Sequence, residues 1–369
     1  MNLNILDIIL IIGFAQGFVL SGILYLKRTE LTSNFFLFLL VTIYSLVLFD
    51  LFLNDAGFYQ SLGFVQLILI GTTLLIFPFY YLYTKSLIYD TNNILRKEWY
   101  HFVPIFFYKL MYIYLLFSNN ESFESISIIF LNWIFPFQAI LYLFLIIRLL
   151  TFYSKKIREF YSETEHIRLT WLKTITYIII FTLLIYFTEF ILVENGANYS
   201  GLFDISSFFA VFNIYAIGYF GLFKSPMFKQ ANVVKSLEKI LPLENKKYEK
   251  SGLSDEKAAS HLTDLRELMA SEKPFCNPSI TLSDLSDLLN ISARNLSEIL
   301  NTKCKQNFFD FINSYHVEEV KQLLIDPKNK PFTILAISFD AGFNSKTSFN
   351  TIFKKYTGQT PSSYRNEHS

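Results

Sequence analysis

The chain has 369 residues, 52% of them hydrophobic, with 41 Phe and 23 Tyr, and its 32 Lys and Arg nearly balance 31 Asp and Glu. That length suits two or three domains, and the net charge of +1 averages over two unlike halves, so it says little about partners. The two cysteines, Cys276 and Cys304, show no CxxC spacing and no nearby His pair, so they give no metal signal and read as reduced thiols.

The average composition hides two materials. Residues 1–224 are dominated by Phe, Leu, Ile and Tyr, whereas after Phe223 Lys, Glu, Asp, Ser and Asn take over. Crossing a bilayer core takes about 20 apolar residues. Seven segments qualify: residues 5–26, 35–54, 63–87, 100–118, 126–150, 171–193 and 202–223. No Lys or Arg precedes the first, and Lys27 and Arg28 follow it. It therefore reads as a retained span rather than a signal peptide.

Loop charge gives these spans a direction. The first connection holds Lys27 and Arg28, and the third Lys85, Arg96 and Lys97. The fifth holds Arg148, Lys155, Lys156, Arg158, Arg168 and Lys173, and the tail opens with Lys224 and Lys229. The second, fourth and sixth connections have acidic residues (Asp55; Glu121 and Glu124; Glu194 and Asp204) and no Lys or Arg. Every basic loop falls on one side. The expectation is an N-terminus outside, a tail in the cytoplasm, and a multi-pass protein of a bacterial inner membrane.

Ionisable residues within spans are costly and face a bundle interior or a wet cavity. Asp7, Asp50, Lys109 and Glu189 are such residues. Asp7, Asp50 and Glu189 fall toward the outer ends of their spans. Asp50, Lys109 and Glu189 are the candidate intramembrane signal site, open to a small molecule or protein signal. The alternative is that each orders the bundle or snorkels to the interface. Gly13, Gly17 and Ser21 recur every four residues on the first span. That stripe suits either a homodimer seam or close packing within the bundle. Pro78, Pro104 and Pro136 interrupt spans. No H-E-x-x-H, G-x-S-x-G or Gly-rich phosphate loop occurs, so no catalytic residue, metal or cofactor is assigned and the chain does not read as an enzyme.

Residues 225–257 form a polar linker rich in Lys and Glu, in which residues 233–241 suit a short helix ended by Pro242. The domain from 258 to 369 has twelve Lys and Arg against twelve Asp and Glu.

Within it, one grammar occurs twice. Thr281 caps a helix over 282–289, with Ile280 and Leu285 as its staple and Leu282, Leu285, Leu288 and Leu289 buried. After a turn at Asn290, Ser292 caps a second helix over 293–302, stapled by Ile291 and Leu296. In the second unit Thr333 caps 334–341, stapled by Phe332 and Ile337, and Gly342 ends it left-handed. Ser345 caps 346–356, where Phe349, Ile352, Phe353 and Tyr356 form the buried stripe. An amphipathic segment over 308–324 joins the units, and Thr360-Pro361 starts a last short helix. Helix, tight turn, helix with a polar outer face is the geometry that lays a second helix in the major groove. Two such units could enter two successive major grooves of double-stranded DNA, about 34 Å apart.

The run Gly342-Phe343, Ser345, Ser348-Phe349, Phe353-Lys354-Lys355, Gly358, Thr360-Pro361, Tyr364-Arg365 resembles the AraC/XylS-type regulators of transcription. The earlier part fits that family through residues 282–289, 292–301 and 307–313. A multi-span segment before such a domain resembles the membrane-tethered form. The resemblance implies base reading by Lys346, Thr347, Asn350 and Thr351 in the second unit, and by Arg294, Ser297 and Glu298 in the first. It implies phosphate contacts by Lys303, Lys305, Lys354, Lys355 and Arg365, with a structural bond as the alternative for Arg365. Three departures stand out: Ser286 where Ala is usual, Lys305-Gln306 in place of a usual Gly, and His316 where Arg is common.

The expected fold is all-α: a seven-helix transmembrane bundle, then a cytoplasmic all-helical domain with two helix-turn-helix units. The leading function is a membrane-anchored one-component sensor that controls transcription. The alternatives are a transporter-like or enzymatic membrane domain with an autoregulatory tail, and a passive anchor released by proteolysis.

Overall fold

The computed structural model describes residues 4–28, 32–60, 63–89, 94–118, 122–164, 169–195, 203–230 and 253–368. Among them the fold is all-helical, and Tyr161 and Thr281 share an isolated antiparallel bridge. The chain divides into two compact units. One comprises Met1–Thr151 and Leu169–Pro242, the other Phe152–Arg168 and Leu243–Ser369. The helix expected over 233–241 lies outside the described residues.

The first unit holds α1 (Ile5–Leu26), α2 (Thr32–Asp55), α3 (Gly63–Leu69), α4 (Ile76–Ile88), α5 (Ile94–Lys97) and α6 (Val103–Ser118). It also holds most of α7 (Ser122–Phe160), α8 (Thr170–Glu194) and α9 (Phe203–Gln230). Among the described residues six segments are long and apolar enough to cross a membrane: Ile5–Leu26, Ser33–Asp55, Phe64–Ile88, Trp133–Phe160, Thr170–Leu192 and Ile205–Phe223.

The expected fourth span differs. A 3-10 turn over Trp99–Phe102 precedes α6, leaving 16 α-helical residues. The α-helical part rises about 24 Å at 1.5 Å per residue and the 3-10 turn adds about 8 Å at about 2.0 Å per residue, so the two pieces together reach across a hydrocarbon core of about 30 Å. Pro104 lies in the first turn of α6, where a missing N–H costs nothing; it starts the helix rather than kinking it. The third span is broken. Gly71 takes φ +75° between α3 and a 3-10 turn over Thr72–Leu75 that leads into α4. A Cβ at Gly71 would lie 2.4 Å from the Tyr108 ring, so α6 packs directly on the break.

Helix α1 packs against α2 and α9. A Cβ at Gly13 would lie 2.7 Å from Val211, and one at Gly17 2.2 Å from Ser45. The hydroxyls of Ser21 and Thr42 are 2.6 Å apart. The small-residue stripe is thus spent on close approach inside the bundle.

The second unit is built around α13. In order it has α10 (Asp255–Ser271), α11 (Leu282–Leu288), α12 (Ala293–Ile299), α13 (Phe308–Ile325), α14 (Ile334–Asp340), α15 (Lys346–Thr357) and α16 (Pro361–His368). A π turn over Leu300–Cys304 extends α12. One core gathers Leu265, Met269, Phe275, Leu285, Leu296 and Leu300 around Phe308, Phe311 and Ile312 of α13. The other gathers Ile337, Phe343, Phe349, Ile352 and Phe353 around Phe309, Val317, Val320 and Leu324 of the same helix. A helix apolar on two faces can close two small cores at once.

Three burial expectations change. Leu288 is 50% exposed while Ser286 is buried, its hydroxyl donating 2.8 Å to the Ser283 carbonyl. The helix therefore turns its 282–285–286 edge inward. Tyr356 and Phe332 are exposed as well; the Tyr356 hydroxyl instead donates to the Asp310 carbonyl at 2.9 Å.

Candidate nucleic-acid interface

Each helix-turn-helix unit is fixed by side-chain caps. The Thr281 hydroxyl accepts from the Asp284 N–H at 3.2 Å, and the Asp284 carboxylate accepts from the Thr281 N–H at 2.9 Å, closing a capping box. Asn290 makes the turn at φ +54°. Ser292 then caps α12 through the Asn295 N–H at 3.2 Å. In the second unit Thr333 caps α14 and Ser345 caps α15. Between them Gly342 sits at φ +102°, and a Cβ there would meet the Phe275 carbonyl oxygen at 2.4 Å. Asn307 caps α13, accepting from the Asp310 N–H at 2.8 Å.

These caps set what faces out. On α15, Phe349, Ile352 and Phe353 are buried, whereas Lys346, Thr347, Asn350 and Thr351 are all exposed. On α12, Leu296 and Ile299 are buried, and Arg294, Ser297 and Glu298 are half-buried. The two outer faces differ: that of α15 is open, while that of α12 is partly covered.

The cationic candidates also divide. Lys303 pairs with Asp255 of α10 at 2.6 Å and Lys355 with Asp310 of α13 at 2.9 Å. Lys346 and Lys354 are exposed on α15. Lys305 is exposed at φ +53°, a left-handed position where a side chain is strained; this is the physical reason a glycine is usual there. Arg365 donates to three carbonyls, of Phe332 (2.9 Å), Asn329 (3.0 Å) and Lys330 (2.8 Å). It ties α16 to the loop that precedes the second unit.

His316 fills the joint between the two cores. Its Nε2 lies 2.6 Å from the Phe275 carbonyl, so Nε2 carries the proton and donates. The ring lies between Phe275 and Phe343, with centroids 6.1 and 5.0 Å away. Burial pulls its pKa down to about 4, against a smaller upward pull from the Phe275 carbonyl. Burial likewise pushes the Cys276 and Cys304 thiols up, which makes them poor nucleophiles.

Two structural contributors carried sequence signals that pattern reading passed over. The first is α10, capped by Ser254 and buried through Leu265 and Met269. Its signals are the cap, Asp255 and Glu256 in the first turn, and apolar spacing at 262, 265, 268 and 269. The second is the end of α7 with residues 160–164. It belongs to the second unit, and Phe160-Tyr161 is an aromatic pair in an otherwise charged connection.

The membrane-half candidates each meet a partner close by. Asp7 closes a capping box with Asn4 at the start of α1. The Tyr59 hydroxyl donates to the Asp50 carboxylate. Lys109 donates to the Ile68 carbonyl at 2.6 Å, at the end of α3. Buried Glu189 accepts from the Ser206 N–H at 3.3 Å, near the start of α9. The last two meet helix ends of opposite partial charge. Among the described residues no group of three or more His, Cys, Asp or Glu could hold a metal ion.

Residues 285–367 match a family model described as a helix-turn-helix domain. An uncharacterized HTH-type transcriptional regulator of Staphylococcus aureus (strain COL) is 33% identical over 88 residues, 24% of this chain and 11% of that protein. The Msm operon regulatory protein of Streptococcus mutans serotype c is 27% identical over 117 residues, 29% of this chain and 41% of that protein. A solved protein of unknown function from Listeria innocua shares 25% identity over 29% of this chain and 97% of its own, with a TM-score of 0.26. The chain spans about a tenth of the staphylococcal relative and two fifths of the streptococcal one. The C-terminal domain, within a chain that also carries six apolar helices, is a helix-turn-helix domain of the AraC type.

Proposed function

We propose that the protein is a sequence-specific DNA-binding regulator of transcription, anchored in a bacterial cytoplasmic membrane by residues 1–224, with the domain from 258 to 369 in the cytoplasm. The observation that carries this reading is a pair of capped helix-turn-helix units on one shared helix, the second presenting an open polar face. Lys346, Thr347, Asn350 and Thr351 on α15 read base edges in one major groove. Arg294, Ser297 and Glu298 on α12 read the next. Asn suits adenine, Arg guanine and Glu the cytosine amine. Lys305 and Lys354 position the domain on phosphates, as do Lys303 and Lys355 once released from their ion pairs. The six apolar helices support the anchor, and with α6 and its 3-10 turn as a further crossing the basic loops all fall on one side, which supports the cytoplasmic placement of the tail. Coupling of an outer-face or bilayer signal to transcription rests on the same arrangement.

The test is footprinting of genomic fragments recovered by the chain, in detergent, with and without N350A. Loss of the Asn350 amide is expected to cost about 1–3 kcal/mol at the cognate base and to relax preference at that position. Failure of the wild-type chain to select any sequence over random DNA would sink the reading.

A further inference from the structure

The connection between α7 and α8 carries a feature that a passive loop between spans does not need. Helix α7 continues to Phe160, ten residues past the apolar stretch that ends at Leu150. Its last turns and residues 161–164 belong to the same compact unit as the DNA-binding domain. Phe160 packs against the first core, beside α10 to α13. Tyr161 bridges Thr281 in antiparallel fashion, and Thr281 is the residue that caps α11. The Ser162 hydroxyl donates to the Ile280 carbonyl at 2.7 Å, and the Asn313 amide of α13 donates to the Ser162 carbonyl at 3.2 Å. Arg158 stacks its guanidinium 5.4 Å from the centre of the Phe309 ring, which belongs to the second core.

The polar atoms involved are buried: Ser162 is 4% exposed and Asn313 1%. Burying such groups is unfavourable unless they bond to each other. Backbone pairing at 161, a side-chain bond at 162, a stacked cation at 158 and an apolar anchor at 160 converge within five residues. They reach both cores, and they grip the residue that starts the first unit.

We infer that Arg158–Ser162 is a strap built into the DNA-binding domain, and that through it α7 acts on the cap of α11 and on the shared helix α13. This deepens the proposed function and rests on it: the strap supplies the physical link by which movement of a spanning helix reaches both reading units. Displacing the strap takes the Ser162 bonds from the Ile280 carbonyl and from the Asn313 amide, which keeps only its 2.7 Å bond to the Phe309 carbonyl, and loosens the start of α11. The binding surface of α12 then loses its fixed setting relative to α15.

The test uses the full chain in lipid nanodiscs, with Cys276 and Cys304 replaced by Ser. Bridge partners in an antiparallel pair have Cα atoms about 4.5–5.5 Å apart, within the disulfide range of about 4.4–6.8 Å. The pair Y161C and T281C is therefore expected to crosslink nearly completely under mild oxidation, whereas Y161C with K330C stays reduced. A second arm measures affinity of F160A/S162A for a genomic fragment selected by the unaltered chain. At least a fivefold loss for that fragment is expected, with affinity for random DNA unchanged. No crosslink at 161–281, although both thiols react with maleimide, overturns the strap. So does a crosslinked chain together with undiminished specific binding by F160A/S162A. If the unaltered chain selects no fragment, the regulator reading falls on that result alone, and the crosslink still decides whether the segment is docked.

Discussion

Gly342 shows how a single position can be constrained twice. Its φ of +102° disfavours any side chain, and the space a Cβ would take is held by the Phe275 carbonyl at 2.4 Å and His316 Nε2 at 2.7 Å. The first obstacle is backbone, and the second is the tip of a buried ring held by its bond to that same carbonyl. G342A is expected to destabilise the C-terminal domain by roughly 3 kcal/mol or more, read by pulse proteolysis of that domain in the full chain. The neighbouring His316 gives a pH signature. Its folded pKa lies near 4, below the ordinary 6.5 or so of the unfolded chain. Above pH 6.5 both states are neutral at this residue and stability is flat. As pH falls through 6.5 the unfolded state gains a proton that the folded state refuses, so stability drops. The loss stops growing near pH 4, where the folded state protonates too. It amounts to on the order of 3 kcal/mol. Carboxylates titrate in part of this window, so the readout is the difference between wild type and H316Q. The variant keeps a side-chain donor for the Phe275 carbonyl and is expected to lose that fraction of the acid sensitivity. Identical pH profiles would show that His316 is not what makes the joint acid-labile.

At the scale of elements, the caps were legible in the sequence because they are local. Thr281, Ser292, Thr333 and Ser345 each cap as their spacing implies, since a cap needs only a hydroxyl three residues before an orphan N–H. The stripe on α15 was legible for the same reason, apart from Tyr356. What was not legible depended on partners far along the chain. Leu288 reads as core by periodicity, yet is exposed because α11 is seven residues long and turns the 282–285–286 edge inward. The strap at 158–162 meets residues more than a hundred positions away, and no local pattern encodes that. Arg365 is a third instance. The family resemblance offers phosphate contact or a structural bond, and its donors go to the carbonyls of Asn329, Lys330 and Phe332. A Lys keeps the charge but cannot spread its donors in the same planar fork. R365K is therefore expected to cost about 1–2 kcal/mol of stability and to leave the salt dependence of DNA binding unchanged. A lowered salt slope with undiminished stability would instead make Arg365 a phosphate contact.

The charge of the whole molecule decides how the domain can hold DNA at all. With twelve cations against twelve anions from 258 onward, no broad positive field exists to recruit a duplex, so affinity must come from a few placed lysines. The structure ranks them. Lys354 and Lys346 stand exposed on α15 with no ion pair among the described residues, whereas Lys303 and Lys355 are engaged by Asp255 and Asp310. An exposed pair is worth little in water, so a phosphate can compete for either lysine, but the released carboxylate then stands near the backbone and repels it. Each lysine that neutralises one phosphate contributes about 0.9 to the slope of log K against log salt. K354A is expected to lower that slope by about 1 while leaving sequence preference intact, and K303A by distinctly less because its starting state is already paired. The double variant D255N/K303A separates charge from pairing: relative to K303A it removes the exposed carboxylate, and affinity is expected to recover in part. The measurement is a titration of the full chain on one selected fragment at four salt concentrations. Equal slope losses for K303A and K354A would mean that the ion pair with Asp255 does not survive on DNA, and that the first unit sits on the backbone as firmly as the second.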